Sequence, residues 1–190
     1  MAIREVPEEV ASKEVIPNEM PPGARLFMQR AHWAFSPWAS RIIAKGLFWK
    51  WKDQPPLLRR FFQSKTPLLT EYVEDLLSRG VVQEVKSVRF QARMFFVSKK
   101  DTNKKRAILD LSPLNVHIQC DNFQMLTISQ VRTLLPRSGY TISIDLTDAY
   151  WHIPIARRFT RYLGFRVEHK AYTFKVLPFG LNIAPASSRR

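Results

Sequence analysis

Cysteine is nearly missing from this sequence, and acidic residues are in short supply. The single cysteine, Cys120, excludes an internal disulfide and a zinc cluster built on thiolates, so we expect a small buried hydrophobic residue there. The four histidines show no metal-ligand spacing. No run reaches the roughly 18 consecutive apolar residues of a membrane helix, and the N-terminus does not resemble a signal peptide. We therefore expect an intracellular protein, in the cytoplasm or the nucleus, without a membrane partner.

The charge balance indicates what kind of partner the chain prefers. Lysine and arginine number 30 against 16 acidic residues, which gives a formal net charge of +14. Basic side chains release counterions that are condensed on phosphates, so this excess favours nucleic acid, with an anionic membrane surface as second choice. A hydrophobic content of 45% indicates that the chain has a globular core.

The first third of the chain differs from the rest in composition. Residues 1–25 combine acidic residues with prolines and are expected to form a flexible acidic leader. Residues 26–65 form an arm rich in aromatic and basic residues. Its rings could stack on nucleic-acid bases, or pack on a neighbouring domain while the cations stay in water. We favour packing.

The remaining two thirds contain regular patterns of both kinds. The run "TPLLTEYVEDLLSRG" predicts a helix that Thr66 caps and Gly80 ends, with Leu69, Tyr72, Val73, Leu76 and Leu77 on its apolar stripe. Three strand-like runs follow, "VVQEV", "RMFFVSK" and "RAILDL", and the turn "KDTNK" joins the last two in a hairpin. A shorter helix is predicted from Thr127 to before Pro136. Then "YTISIDL" predicts a strand, and "RYLGFRV" and "AYTFKVLP" a hairpin around the four-residue turn "EHKA". Without a regular alternation of strands and helices, the pattern indicates an α+β fold.

Two carboxylates end an apolar run in "SIDLTDAYWHIPI", residues 143–155. A glycosidase would need acids on both sides of a sugar bond, and nothing in so basic a chain suggests a neutral sugar substrate. Phosphoryl transfer fits better. Magnesium is held by one or two carboxylates together with substrate phosphates, while basic side chains neutralise a triphosphate.

These residues resemble a known family. "SIDLTDAYWHIPI" is similar to motif A of reverse transcriptases, "LPFGLNIAP", residues 177–185, to their motif B, and "FFVSKKDTNKKRAILDLSPLN", residues 95–115, to their fingers segment. The resemblance covers about residues 66 to 186 in the right order and is nearest to gypsy-like and DIRS-like retrotransposon enzymes. It implies a right-hand polymerase fold, with the fingers and the start of the palm in residues 66–139 and a partial palm with motifs A and B in residues 140–190.

The resemblance also implies roles for motif A. Asp145 matches the catalytic aspartate that binds both metal ions, with the backbone carbonyl of Leu146 as a further metal ligand. Asp148 and Ala149 would present backbone amides to the incoming triphosphate, and the side chain of Asp148 is expected to be structural. Tyr150 matches the aromatic steric gate against a ribose 2′-hydroxyl, with a tyrosine of the core as the alternative.

Further roles follow for the fingers and for motif B. Lys99 and Arg106 match residues that grip the triphosphate, and Phe179 and Gly180 match positions that pack against nucleotide and template. Asp110 and Asn115 are expected to be structural. Basic residues that could follow a nucleic-acid backbone, or simply be solvated, are Lys100, Lys104, Lys105, Arg157 and Arg158.

The resemblance stops before motif C, whose "x-x-D-D" hairpin supplies two further acids in the family. Magnesium or manganese is expected for the family, but not a full two-metal site in this chain, and we expect no polymerase activity from the chain alone. The strand of motif A would keep an unpaired edge, which favours self-association. Expected partners are an RNA/DNA primer-template and a deoxynucleoside triphosphate. Two alternatives stay open: a non-catalytic basic remnant that binds nucleic acid, and a decayed fragment without function.

Overall fold

The computed structural model describes residues 37–54, 63, 65–98, 105–120, 127–134, 140, 142 and 147–184. The predicted leader at residues 1–25 lies outside these residues. The elements are α1 Pro37–Lys45, β1 Lys50–Trp51, α2 Pro67–Ser78, β2 Val82–Val85, β3 Gln91–Ser98, β4 Lys105–Asp110, α3 Ser112–Asn115, β5 Ile118–Gln119, α4 Ile128–Leu134, a 3₁₀ helix Ala149–His152, α5 Arg157–Thr160, β6 Gly164–Val167 and β7 Lys170–Phe174.

Helix α2 forms as its sequence predicts. The Thr66 side chain accepts a hydrogen bond from the backbone N–H of Leu69 at 3.2 Å, and Gly80, after the helix, has a φ of 65°. Leu69, Val73 and Leu76 are buried. Leu77 is a correction, because it is 38% exposed: one residue beyond Leu76, it is turned about 100° away from the buried face.

A five-stranded sheet with the order β2-β7-β6-β3-β4 forms the centre of the fold. Neighbouring strands are antiparallel except for β3 and β6, which are parallel. The predicted hairpin of β3 and β4 is confirmed, and its strands pair from Arg93 opposite Asp110 to Ser98 opposite Lys105. Its turn lies outside the described residues.

Side chains on the β3–β4 hairpin alternate between two faces, since strand residues point up and down in turn. Met94 pairs with Leu109, and both are buried. On the other face Val97 pairs with Arg106, and Phe95 pairs with Ile108. Phe95 and Val97 are each 40% exposed. We call the exposed face formed by Phe95, Val97, Arg106 and Ile108 the outer hairpin face.

The second predicted hairpin is present as β6 and β7, but its turn is shorter than expected. Val167 pairs with Lys170, so the loop contains two residues, Glu168 and His169, instead of the predicted four. Glu168 has a φ of 52°, and tight hairpin turns require such a positive φ. Lys170 and Glu84 form an ion pair of 3.2 Å between β7 and β2.

The arm meets the domain through its tryptophans. Residues Trp49 and Phe159 have ring centroids 4.4 Å apart, and Trp51 and Tyr162 have centroids 4.8 Å apart. Strand β1 pairs with β5, and Leu47 bridges to Ile155. Of the two alternatives given for the arm, these two tryptophans therefore show the second: their rings pack on the neighbouring domain.

Helix α4 confirms the predicted shorter helix, with Leu134 as its last residue. Of the strand predicted over residues 140–146, only Tyr140 and Ile142 are described. Both are exposed and neither is in a strand. Cys120 is partly buried against the core, and its Sγ donates to the Asn182 carbonyl at 3.4 Å. Within the described residues, no helix combines the length and the apolar character needed to cross a membrane.

Candidate functional site

The fold brings the end of motif A into contact with motif B. Tyr150, in the 3₁₀ helix, and Phe179 have ring centroids 5.0 Å apart and ring planes at 64°, an edge-to-face contact. Tyr150 is partly buried, whereas Phe179 is 52% exposed. Two residues predicted to touch the nucleotide are thus neighbours, although 29 positions separate them in the sequence.

Asn115 at the end of α3 fixes the motif B turn. Its Nδ2 donates to the Gly180 carbonyl at 2.8 Å, and its Oδ1 accepts from the backbone N–H of Asn182 at 3.0 Å. Asn182 Nδ2 donates in return to the Asn115 carbonyl at 3.1 Å. These bonds agree with the structural role predicted for Asn115. Asp110 is likewise engaged, since its Oδ1 accepts from the Ser112 N–H at 3.1 Å.

Gly180 occupies a position that only glycine adopts without strain. Its φ is +96°, and a Cβ built there would lie 3.1 Å from the carbonyl oxygen of Leu109. The motif B turn therefore lies directly against strand β4. The role expected for Gly180, close approach of nucleotide and template to the backbone, stays a prediction.

Asp148 begins the turn that leads to Tyr150. Its backbone is left-handed, with φ 51° and ψ 40°, and its carbonyl accepts from the Trp151 N–H at 2.8 Å. Its Oδ2 lies 2.5 Å from Nη2 of Arg79, which follows α2. This ion pair joins motif A to the end of α2, and the structural role expected for the Asp148 side chain agrees with it.

Arg79 is a residue that the sequence analysis missed. Its Nη1 lies 3.6 Å from Asp75 Oδ2, and its guanidinium carbon lies 4.5 Å from the ring centroid of Trp151. Partial burial lowers the pKa of Arg79, but the hydrogen bond to Asp148 and the two nearby carboxylates outweigh burial and raise it above its ordinary value. Burial, and then the charges of Asp75 and Asp148, raise the pKa of Tyr72, which lies in α2 seven residues before Arg79.

A small crevice of about 20 Å³ lies between the fingers elements and motif B. Such a volume holds about one water molecule and no nucleotide. Its lining residues are Tyr72, Met94, Ala107, Leu109, Trp151, Phe174, Pro178 and Phe179. This side of the hairpin is therefore packed among the described residues, whereas Phe95 and Val97 of the outer hairpin face and the ring of Phe179 are exposed.

The predicted basic residues fall into two groups. Lys105 and Arg106 are exposed at the turn end of the β3–β4 hairpin, with Arg106 beside the apolar Phe95 and Val97. Arg157 and Arg158 are exposed in α5. The guanidinium of Arg158 lies 4.9 Å from the Phe159 ring and 5.9 Å from the Phe48 ring, so this residue contacts the arm.

Several predicted site residues lie outside the described part of the chain. They are Asp145 and Leu146 of motif A, and Lys99, Lys100 and Lys104 of the fingers segment. Among the residues that are described, no group of three or more histidine, cysteine, aspartate or glutamate side chains could hold a metal ion.

Comparison with known families decides the identity of this arrangement. Residues 97–190 match the family described as "Reverse transcriptase (RNA-dependent DNA polymerase)". The chain belongs to the reverse transcriptase family. This confirms the predicted family; the finer gypsy-like or DIRS-like grouping stays a prediction.

Relatives and solved structures of reverse transcriptases agree with this assignment. The Transposon Tf2-7 polyprotein of Schizosaccharomyces pombe is 26% identical over 122 residues, which is 64% of this chain and 9% of the polyprotein. The foamy viral protease-reverse transcriptase in complex with RNA/DNA hybrid is 26% identical with a TM-score of 0.59, over 71% of this chain and 18% of that one. The native prototype foamy virus enzyme, at 24% identity and a TM-score of 0.57, shows the same fold over 70% of this chain and 18% of its own. The α+β reverse-transcriptase fold is thus confirmed for a chain that spans less than a fifth of these proteins.

Proposed function

We propose that this chain forms the nucleotide- and template-binding part of an RNA-directed DNA polymerase of a retrotransposon. The contact between Tyr150 and Phe179 is the observation that carries this proposal. In this contact Tyr150, which is proposed to be the steric gate, lies beside the motif B ring and follows the turn whose Asp148 and Ala149 amides are proposed to receive the triphosphate. A deoxynucleoside triphosphate is the proposed small ligand.

The outer hairpin face is proposed to receive the template and the triphosphate. Arg106 supplies a planar, permanently charged fork for phosphate, and the exposed Phe95 and Val97 beside it supply apolar contact for bases. Lys99, Lys100, Lys104 and Lys105 are proposed to extend this basic rim towards the tip of the hairpin. A foamy viral relative of similar fold has been solved with an RNA/DNA hybrid, which supports nucleic acid as the partner.

Asp145 and the Leu146 carbonyl are proposed to hold a divalent metal ion, magnesium or manganese. When bound, this ion neutralises developing charge on the phosphates and activates the attacking oxygen. Asp148 does not add a ligand, because Arg79 holds its carboxylate at 2.5 Å. The 190 residues contain no pair of consecutive aspartates, so within them Asp145 is the one acid that matches the metal-binding set of the family.

A second candidate function is nucleic-acid binding without catalysis. It is favoured by a surface where Arg41 and Arg158 both approach the ring of Phe48, at 5.7 and 5.9 Å, while Phe48 itself is 39% exposed. We call these three residues the arm surface. Cations beside an exposed ring suit a nucleic-acid backbone and its bases.

The test measures primer-template binding and nucleotide incorporation by the 190-residue chain. We expect duplex affinity that falls steeply with salt, because phosphate contacts release counterions, and no magnesium-dependent extension. Arg106→Gln should weaken duplex and triphosphate binding, while Arg89→Gln, an exposed arginine between β2 and β3, serves as the matched control. Equal effects of the two variants would exclude the outer hairpin face as the binding site for the duplex and the triphosphate. Efficient extension that Asp145→Asn abolishes would show that the chain is catalytic by itself.

A further inference from the structure

Arg79 makes three contacts around the start of the motif A turn. Its Nη2 lies 2.5 Å from Asp148 Oδ2, its Nη1 lies 3.6 Å from Asp75 Oδ2, and its guanidinium carbon lies 4.5 Å from the Trp151 ring centroid. Asp148 and Arg79 are 69 positions apart, so this ion pair joins the end of α2 to motif A. It is more constrained than an ordinary surface pair, because two carboxylates and a ring hold one guanidinium.

The backbone at Asp148 needs such support. Its φ of 51° is left-handed, a conformation that residues other than glycine rarely adopt and that persists only when the surroundings hold it. The Asp148 side chain makes no capping bond to the 3₁₀ helix that follows. Instead it accepts from Arg79, while its carbonyl accepts from the Trp151 N–H. Arg79 therefore contacts both ends of the turn: the carboxylate of Asp148 at its start and the ring of Trp151 at its end.

We infer that Arg79 is a positioning residue for the proposed triphosphate site, and that it both fixes the turn and neutralises the Asp148 carboxylate. This inference rests on the proposed function, in which the amides of Asp148 and Ala149 receive the triphosphate. An unpaired carboxylate one residue from a polyanion would repel it, since like charges at short range raise the free energy of binding. Arg79 removes that repulsion without contacting the nucleotide.

The geometry requires arginine rather than any cation. A guanidinium can donate to two carboxylates and lie against an indole at the same time, because it is planar and carries several N–H groups in one plane. Lysine would keep the charge beside Asp148 but lose the fork and the planar contact with Trp151. Arg79→Lys is therefore the conservative variant, and Arg79→Met removes the charge while keeping a side chain of similar length.

The experiment measures binding of a fluorescent deoxynucleoside triphosphate in the presence of magnesium, using the 190-residue chain. We expect Arg79→Met to weaken binding by about tenfold and Arg79→Lys by less, the scale of one charge-assisted contact. Asp148→Asn added to Arg79→Met should restore part of the lost affinity, because it removes the unpaired carboxylate. Recovery in this double variant is the readout that a merely structural role of Arg79 would not produce. Equal triphosphate affinity in Arg79→Met and the unmodified chain would overturn the inference.

Two further measurements separate this inference from the proposed function. Primer-template affinity depends on the outer hairpin face, so it should be unchanged in Arg79→Met. Amide hydrogen exchange at Trp151 and Ile153, whose N–H groups donate to the carbonyls of Asp148 and Tyr150, should speed up by about tenfold or more in Arg79→Met when measured by NMR without any ligand, because the turn opens more often. If the unmodified chain binds no triphosphate, the proposed nucleotide site fails, while unchanged exchange at these two amides would overturn the positioning role by itself.

Discussion

The side chain of Asn115 is hydrogen-bonded to the carbonyl of Gly180, 65 residues later, at 2.8 Å. The same side chain accepts from the Asn182 N–H, so one asparagine of the fingers segment satisfies two backbone groups of motif B. Motif B turns sharply here and has no regular partner strand for these groups. Asn115 therefore helps to fix the orientation of Phe179 beside Tyr150.

Replacing Asn115 should loosen motif B. Asn115→Ala removes the donor to Gly180 and the acceptor for Asn182, and we expect it to lower the free energy of unfolding by about 1–3 kcal/mol, the cost of polar groups left without partners. Urea denaturation measures this. The neighbouring Val116 is 63% exposed, so Val116→Ala should change the free energy by only about 0.5 kcal/mol. Similar losses in both variants would contradict the role of Asn115.

Two glycines with positive φ should tolerate alanine to different degrees. At Gly180, φ is +96° and the added Cβ would lie 3.1 Å from the Leu109 carbonyl oxygen. At Gly46, after α1, φ is +78° and the Cβ would lie 2.3 Å from the backbone nitrogen of Ala156. We expect Gly180→Ala to cost about 1 kcal/mol or somewhat more, and Gly46→Ala to cost more still, because rigid backbone has to move there. Denaturation of both variants checks the order, and the reverse order would contradict the packing of α1 against residue 156.

High pH should destabilise the protein through Tyr72. Its pKa is raised above the ordinary value of 10.0 by burial and by nearby carboxylates, so the folded protein holds this proton more tightly than the unfolded chain does. The stabilisation is therefore complete below pH 10.0 and is lost as the pH rises through the folded pKa. Tyr72→Phe should lose less stability than the unmodified chain as the pH rises above 10.0. Tyr172→Phe should change the pH dependence in the same direction, because burial also raises the pKa of Tyr172, and pH-dependent unfolding that is identical in both variants and in the unmodified chain would contradict the prediction.

Local signals in the sequence predicted the helices α2 and α4, but they did not predict contacts between residues far apart in the chain. Helix α2 has a capping threonine, a proline in its first turn and a glycine after its end, so its bounds follow from local chemistry. The turn between β6 and β7 was predicted too long because its length depends on the pairing of Val167 with Lys170. Arg79 stands in a stretch that reads only as a helix end, and nothing local connects it with Asp148, 69 residues away. The run of Phe95, Phe96 and Val97 is apolar on both faces, so it does not show which face stays uncovered.

The two neighbouring rings of the arm should respond differently to truncation. Trp49 is buried against Phe159, so Trp49→Ala should lower the free energy of unfolding by about 3–5 kcal/mol. Phe48 is 39% exposed between two guanidiniums, so Phe48→Ala should change stability by only about 0.5 kcal/mol. If the arm surface binds nucleic acid, Phe48→Ala weakens duplex affinity instead. If a folded Trp49→Ala variant loses duplex affinity while Phe48→Ala keeps it, the buried ring takes part in binding and the arm surface does not.

Phe95 and Phe96 offer a matched pair on strand β3, because adjacent residues point to opposite faces. Phe96 packs against Tyr72 with ring centroids 5.8 Å apart, so Phe96→Ala should destabilise the fold by about 3 kcal/mol. Phe95 lies on the outer hairpin face, and Phe95→Ala should leave stability nearly unchanged while weakening primer-template binding by about 1–3 kcal/mol, the scale of one base stacked on an aromatic ring. Fluorescence anisotropy at fixed salt, with denaturation of both variants, measures the two effects. Unchanged duplex affinity in Phe95→Ala would show that the template does not bind the outer hairpin face. The exposed ring of Phe179 would then be the remaining aromatic contact of the proposed site.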